Sequence, residues 1–261
     1  MRMNTLPRIL VAIALLSHVT AQDTVPSAQD LAAKLSANIQ DGSSLVRLKM
    51  DVRPSAGGAK TVFQLQIKAR RNKAATDLIY QVLWPKDRKG ESILLRKSVG
   101  GSASGTVFTP PDSLTPIAKM QDALLGSDLS YEDIVGNFFA WPQQAIVGTD
   151  TVDRVACQIL ESKPGKGDSS SYARVRSWID MKRIVPLRVE KYSASGQLVK
   201  RIDTTRVAED DTDRKVPASF IVQRPGQASV TELEGSNSKH DVSYSDADFT
   251  PAALRSASIA K

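Results

Sequence analysis

Apolar positions in PSAQDLAAKLSANI (26–39) recur every fourth residue at Leu31, Leu35 and Ile39, and Ser27 with Asp30 makes a capping-box pattern. One amphipathic helix is expected there. From Ser44 the period changes to two. Val46, Leu48, Met50 and Val52 alternate with polar residues, and beyond a turn at Gly57 and Gly58 the alternation runs through Phe63, Leu65, Ile67 and Ala69. Two paired antiparallel strands follow from that pattern. TDLIYQVLW (76–84) and ESILLRK (91–97) continue the meander across the charged turn PKDRKG.

Residues 98–129 interrupt the rhythm. GGSASG reads as flexible, and Pro110, Pro111 and Pro116 forbid most ladder positions and most helix, so a long crossing segment or lid is expected. Ser130 and Asp133 cap a second helix, expected over 130–138, with Tyr131, Ile134, Val135 and Phe138 on its apolar face. Seven more strand patterns run from QAIVGT (144–149) to ASVTELE (228–234). Pro186 and Pro217 fall inside two of them, which predicts strands that lie at an edge or begin late. Thr250 before Pro251 opens a short final helix through Leu254. About eleven strands with three short helices make the fold class mainly β, because so few helices cannot cover a parallel sheet. A sheet this wide curls or closes, giving one large curved antiparallel sheet or barrel.

The first 21 residues, MRMNTLPRILVAIALLSHVTA, carry Arg2 and Arg8, an apolar run from Ile9 to Leu16, and Val19 and Ala21 at a cleavage site. They read as a cleaved secretory signal peptide, leaving residues 22–261 as a single β domain. The apolar run is far short of the roughly 20 residues that span a bilayer, and no cysteine follows the cut to carry a lipid. The expected product is exported and soluble, not membrane-spanning, and works where nucleic acid is no ordinary partner. Without the leader, 33 basic residues face 28 acidic ones, a modest excess that reads first as a solvated surface. Cys157, the only cysteine, alternates with Val155 and Ile159 and is placed on the buried side of a strand. No disulfide within the chain is available to it.

The chemistry of catalysis is thin. His18 leaves with the leader, so His240 alone would have to serve as the base of a triad, and no His and Cys spacing suits zinc. EDDTD (209–213) lacks the glycine and distal glutamate of an EF-hand and reads as a solvated hairpin loop. A non-enzyme with no cofactor and no metal is expected. Aromatic residues on strands and on the apolar helix face could instead line a cavity, where each buried methylene of an acyl chain gains about 0.8 kcal/mol.

Three stretches carry a family resemblance: LLGSDLSYEDI (124–134), YARVRSWIDMKRIVPLRVEKYSASGQLVK (172–200) and FTPAALR (249–255). Together they resemble the outer-membrane lipoprotein-sorting proteins, the LolA-like periplasmic lipoprotein carriers. That resemblance implies an incomplete barrel of about eleven antiparallel strands around an apolar cavity, with helices as its lid. It implies a periplasmic carrier that holds lipid or lipoprotein acyl chains, between an inner-membrane transporter and an outer-membrane acceptor. On this reading the helix at 130–138 is a movable plug, and Phe63, Leu65, Tyr80, Val82, Tyr131, Ile134 and Phe138 face the acyl chain. The alternative on the same fold is an envelope regulatory or partner-binding module, a lipid sensor or transporter accessory, docking through Arg70, Arg71, Lys86, Arg88 and Lys89.

Overall fold

The computed structural model describes residues 26–39, 42–54, 58–72, 74–98 and 101–257. The leader expected over residues 1–21 lies outside them, as does Gly57. Helix α1 (Ala28–Ile39) precedes strands β1 (Gly42–Arg53), β2 (Thr61–Arg71), β3 (Ala75–Trp84), β4 (Ser92–Ser98), β5 (Ala103–Thr109) and β6 (Ser113–Pro116). After the short helix α2 (Tyr131–Val135) come β7 (Gln143–Val152), β8 (Val155–Lys163), β9 (Arg174–Asp180) and β10 (Val185–Tyr192). Then follow β11 (Leu198–Glu209), β12 (Lys215–Gln223), β13 (Val230–His240) and helix α3 (Pro251–Ala257).

These thirteen strands form one sheet in the order β6-β5-β4-β3-β2-β1-β13-β12-β11-β10-β9-β8-β7. Each half is a meander, and the antiparallel β1–β13 pair, from Ser44 opposite His240 to Arg53 opposite Val230, joins them. Among the described residues β6 and β7 are not paired, so the curled sheet stays open, as the incomplete barrel expected from the sequence would.

Period-two patterning sets the faces. Met50 lies opposite Phe63, Leu48 opposite Leu65 and Val46 opposite Ile67, then Leu65 opposite Val82 and Ile67 opposite Tyr80. All of them join one apolar cluster on the concave side, with Val222 and Leu233 from the other half. Strand β3 is buried on both faces, because Ile79 packs outward with Leu94, Phe108, Phe249 and Leu254 beneath α3. That double burial is why its sequence reads as an almost continuous apolar run. Helix α1 lays Leu31, Ala32 and Leu35 against Leu160 and Ile179.

Two strands exceed the expected eleven, and both lie in the stretch read as a crossing segment. The prolines are consistent with strand here because β6 is the sheet's edge: Pro110 and Pro111 sit in the β5–β6 turn and Pro116 ends the strand. Gly105, read as flexibility, is a β5 residue whose missing Cβ would stand 2.7 Å from the Leu94 carbonyl oxygen. The two strand prolines also differ from expectation. Both β10 and β12 are interior, with Pro186 and Pro217 near their starts and beside register shifts that relieve the lost N–H. Cys157 is buried on the face of Val155 and Ile159.

Phe249, 1% exposed beneath the last helix, is the anchor of the outer cluster. Phe249→Ala is expected to cost about 3–5 kcal/mol, read as a lower urea midpoint with an unchanged slope.

Candidate functional site

The concave side is filled partly by residues 117–135. The chain turns back at Leu125 and Gly126, both at positive φ (52° and 81°), where glycine at the second position relieves the strain. The Leu124 N–H donates to the Leu129 carbonyl at 2.8 Å, and Ser130 caps α2 with a full capping box to Asp133. This folded segment lowers Leu124, Leu129 and Val135 into the apolar cluster, with Tyr131, Ile134 and Met120 packed beside them. It is a plug made of the chain itself.

Three carboxylates tie the plug to the second half of the sheet. Asp128, with its side chain 1% exposed, accepts from Arg224 at 2.9 Å, Ser229 at 2.6 Å and Thr231 at 2.9 Å. Its backbone N–H donates to the same Thr231 hydroxyl at 2.9 Å. Glu132 accepts from the hydroxyls of Ser170 and Ser171. Asp133, also 1% exposed, is gripped by Lys191 at 2.7 Å, by Lys200, and by the Tyr172 hydroxyl at 2.8 Å. Burial opposes ionisation of Asp133, but the charges of Lys191 and Lys200 outweigh it and hold the carboxyl well below the usual range. Burial pushes the Lys200 ammonium down although Asp133 pulls it up, and burial beside the Asp133 charge raises the Tyr172 phenol.

Six of the seven side chains expected to face an acyl chain meet in this one cluster. Phe63, Leu65, Tyr80 and Val82 are buried on its sheet side, and Tyr131 and Ile134, partly buried, pack against it from the plug side. The Tyr80 phenol, pushed up to about 12 by burial, stays neutral. Phe138 is elsewhere. Helix α2 stops at Val135 because Gly136 is extended (φ −77°, ψ 147°), and Phe138 lies in a separate turn over 138–140, packed on Phe139 and Trp141. The helix expected over 130–138 is therefore five residues long.

Beside the plug the concave face is open. A groove of about 580 Å³ runs over Val46, Leu48, Phe220 and Leu233, with Arg71, Arg206 and His240 at its rim. Its volume is that of a small-molecule site. Those four apolar residues also belong to, or pack on, the cluster under the plug, so groove and plugged region are one surface. Neither the groove nor the Lys191–Lys200 pair was found from sequence. A signal for the lysines does exist: they stand two residues from Val189 and Ile202, at inward positions where the alternation calls for an apolar residue.

The basic residues named for docking do not form one patch. Arg71 pairs with Thr76 at one end of the β2–β3 ladder, while Lys86, Arg88 and Lys89 follow Trp84 at the other, opposite Gln64. Seven residues of strand separate the ends by about 23 Å. Arg70 is bound to Asp77 and Asp246, and Arg88 to Glu91 with its guanidinium over the Phe63 ring. The 209–213 loop folds around Asp210, which accepts from Thr212 and Arg214, while Asp211 holds His240. Among the described residues no group of three or more His, Cys, Asp or Glu is arranged to hold a metal.

Known proteins share this architecture. A family profile described as "Uncharacterized protein" matches residues 55–256. A DUF1329 family protein from Desulfovibrio piger is 24% identical, with a TM-score of 0.78 over 87% of this chain and 97% of its own. A domain named for outer membrane lipoprotein sorting, from Vibrio parahaemolyticus, is 17% identical, with a TM-score of 0.76 over 86% and 97%. A LolA superfamily protein from Nitrosomonas europaea is 21% identical, with a TM-score of 0.71 over 88% and 100%. At these identities the likeness is one of fold. No curated protein matches the sequence.

Thr231 is fully buried, so Thr231→Val keeps its shape while removing both bonds to Asp128. A loss of about 1–3 kcal/mol in stability is expected by denaturant titration. The depressed Asp133 carboxyl contributes stability above the ordinary value of about 3.9 and loses it as pH falls through its folded value. Hydrogen exchange of residues 124–135, corrected for intrinsic rates, should thus match at pH 8 and pH 5 and speed up only below about pH 4.

Proposed function

We propose a carrier's role on this premise: the chain belongs to the family whose profile spans residues 55–256, and it has the LolA-like open-barrel fold. The protein is an exported, periplasmic, non-enzymatic carrier that holds lipid or lipoprotein acyl chains on the concave face of its sheet. One observation carries the reading. The open groove and the plugged cluster share Val46, Leu48, Phe220 and Leu233. An acyl chain that enters the groove is already in contact with the surface the plug covers, and lengthens its contact by displacing Leu129, Tyr131 and Ile134 from Phe63, Leu65, Tyr80 and Val82.

The magnitudes permit it. Ten buried methylenes gain roughly 8 kcal/mol, which corresponds to micromolar affinity before the cost of moving the plug is subtracted. The Leu124–Leu129 backbone bond and the capping bonds inside the plug move with it, so what must be exchanged is its apolar contact and its three carboxylate ties. Among the described residues no helix is long and apolar enough to cross a membrane, which suits a carrier that leaves the bilayer with its cargo. For the regulatory reading on the same fold, the basic residues named for docking lie at opposite ends of a ladder.

Leu48 is half-buried in the groove floor, so a charge there blocks the groove with little harm to the core. The purified protein should bind a fluorescent long-chain acyl probe saturably, and Leu48→Arg should weaken that binding about tenfold or more, the equivalent of two buried methylenes. Absence of saturable binding by the unsubstituted protein sinks the carrier reading.

A further inference from the structure

Lys191 and Lys200 stand directly opposite each other across the β10–β11 pair. Both point to the concave side, with side chains only 4% and 6% exposed. Two ammonium groups on facing positions repel, and burial has removed the water that would screen them. They are tolerable only with an anion between them. In the closed molecule that anion is Asp133, one carboxylate oxygen on Lys191 and the other on Lys200. The rings of Tyr172 and Phe138, 4.9 and 5.5 Å from the Lys191 ammonium, add attraction but no negative charge.

The cations belong to the sheet and the anion belongs to the plug. Whatever clears the plug from the concave face separates them. A neutral guest would leave two buried ammonium groups uncompensated, whereas a guest with an oxyanion brings its own counter-charge and makes the exchange even. The site is also reachable from its Lys191 side: Asp133, Lys191, Tyr172 and Glu132 border a cavity of about 250 Å³ between the plug and the loop at 169–172. An oxyanion can approach there while a chain lies along the apolar floor.

We propose that the cargo is an anionic amphiphile, whose carboxylate or phosphate replaces Asp133 between Lys191 and Lys200 as its tail replaces the plug. The inference rests on the carrier reading and narrows its ligand. Two oxygens on one centre are required, to span two ammonium groups as the Asp133 carboxylate does. A fatty acid and an anionic phospholipid both meet that requirement.

The test compares matched pairs on the unsubstituted full chain by calorimetry or by competition with the acyl probe: palmitate against methyl palmitate, and phosphatidic acid against diacylglycerol. The charged member of at least one pair should bind about tenfold tighter or more, and the pair that shows it identifies the source of the oxyanion. Asp133→Asn, which leaves both ammonium groups uncompensated before any guest enters, should tighten charged and neutral ligands by a similar factor and keep the preference for the charged one. Lys191→Met with Lys200→Met should bring the charged and neutral ligands to within about twofold of each other. Equal binding within both pairs overturns the anionic cargo and leaves the carrier standing. If no amphiphile of either kind binds, the carrier reading fails and this inference falls with it. The comparison on the unsubstituted protein needs no variant to fold.

Discussion

A sheet that curls without closing exposes an apolar concave face to water, and the whole molecule is organised by the need to cover it. Thirteen strands with inward-facing Val, Leu, Ile and Phe cannot bury that face against each other, because the sheet stops short of a barrel. The covering has to come from the chain's own connections. Helix α1 covers one end, over Leu160 and Ile179, and the segment before β7 covers the middle. Connections carry backbone and side-chain polar groups that a core does not welcome. Each polar group carried inside must therefore be matched there, which is why Asp128 and Asp133, with side chains 1% exposed on the covering segment, meet partners on or beside the strands of the sheet.

Much of this was legible in the residues, and the misses have physical causes. Period-two alternation and, for β3, a continuous apolar run located eleven of the thirteen strands. It failed for β5 and β6, where Gly105 stands in a close approach and prolines bound an edge strand, since both residue types also mark loops. The second helix was read three residues past its C-terminal end because Phe138 continues the 3.6-residue spacing; only the extended Gly136 reveals that the spacing is coincidental. Six of seven candidate lining residues came together because they share the phase of the strands or the face of α2. The groove is not visible in any one segment. It is made chiefly by β1, β11, β12 and β13, whose two halves are brought together by a pairing of the first strand with the last.

Apolar contact and ion pairing hold the plug in different ways. The leucines, isoleucine and valine of the segment gain by being out of water, and the apolar floor they cover is covered equally well by a fatty chain. Charges do not exchange so freely. A buried ion pair contributes little net stability against an apolar pair of the same shape, while breaking it by removing one partner is costly. The ties at Asp128, Glu132 and Asp133 therefore add less to the stability of the closed form than to its selectivity for what opens it.

That asymmetry separates the three ties. Glu132 binds serine hydroxyls on an exposed stretch, where water can replace it at once. Asp128 faces one guanidinium that is 39% exposed and two hydroxyls, so its departure leaves a cation that solvent can reach and hydroxyls that can bond to water. Asp133 alone leaves two cations with almost no solvent contact. In the proposed exchange the cost falls at that point, on the sheet side rather than the plug side, because Asp133 would regain its hydration in water while Lys191 and Lys200 stay behind. A lysine pair that cannot follow its counter-ion is the feature that makes an open state of this molecule depend on what enters it.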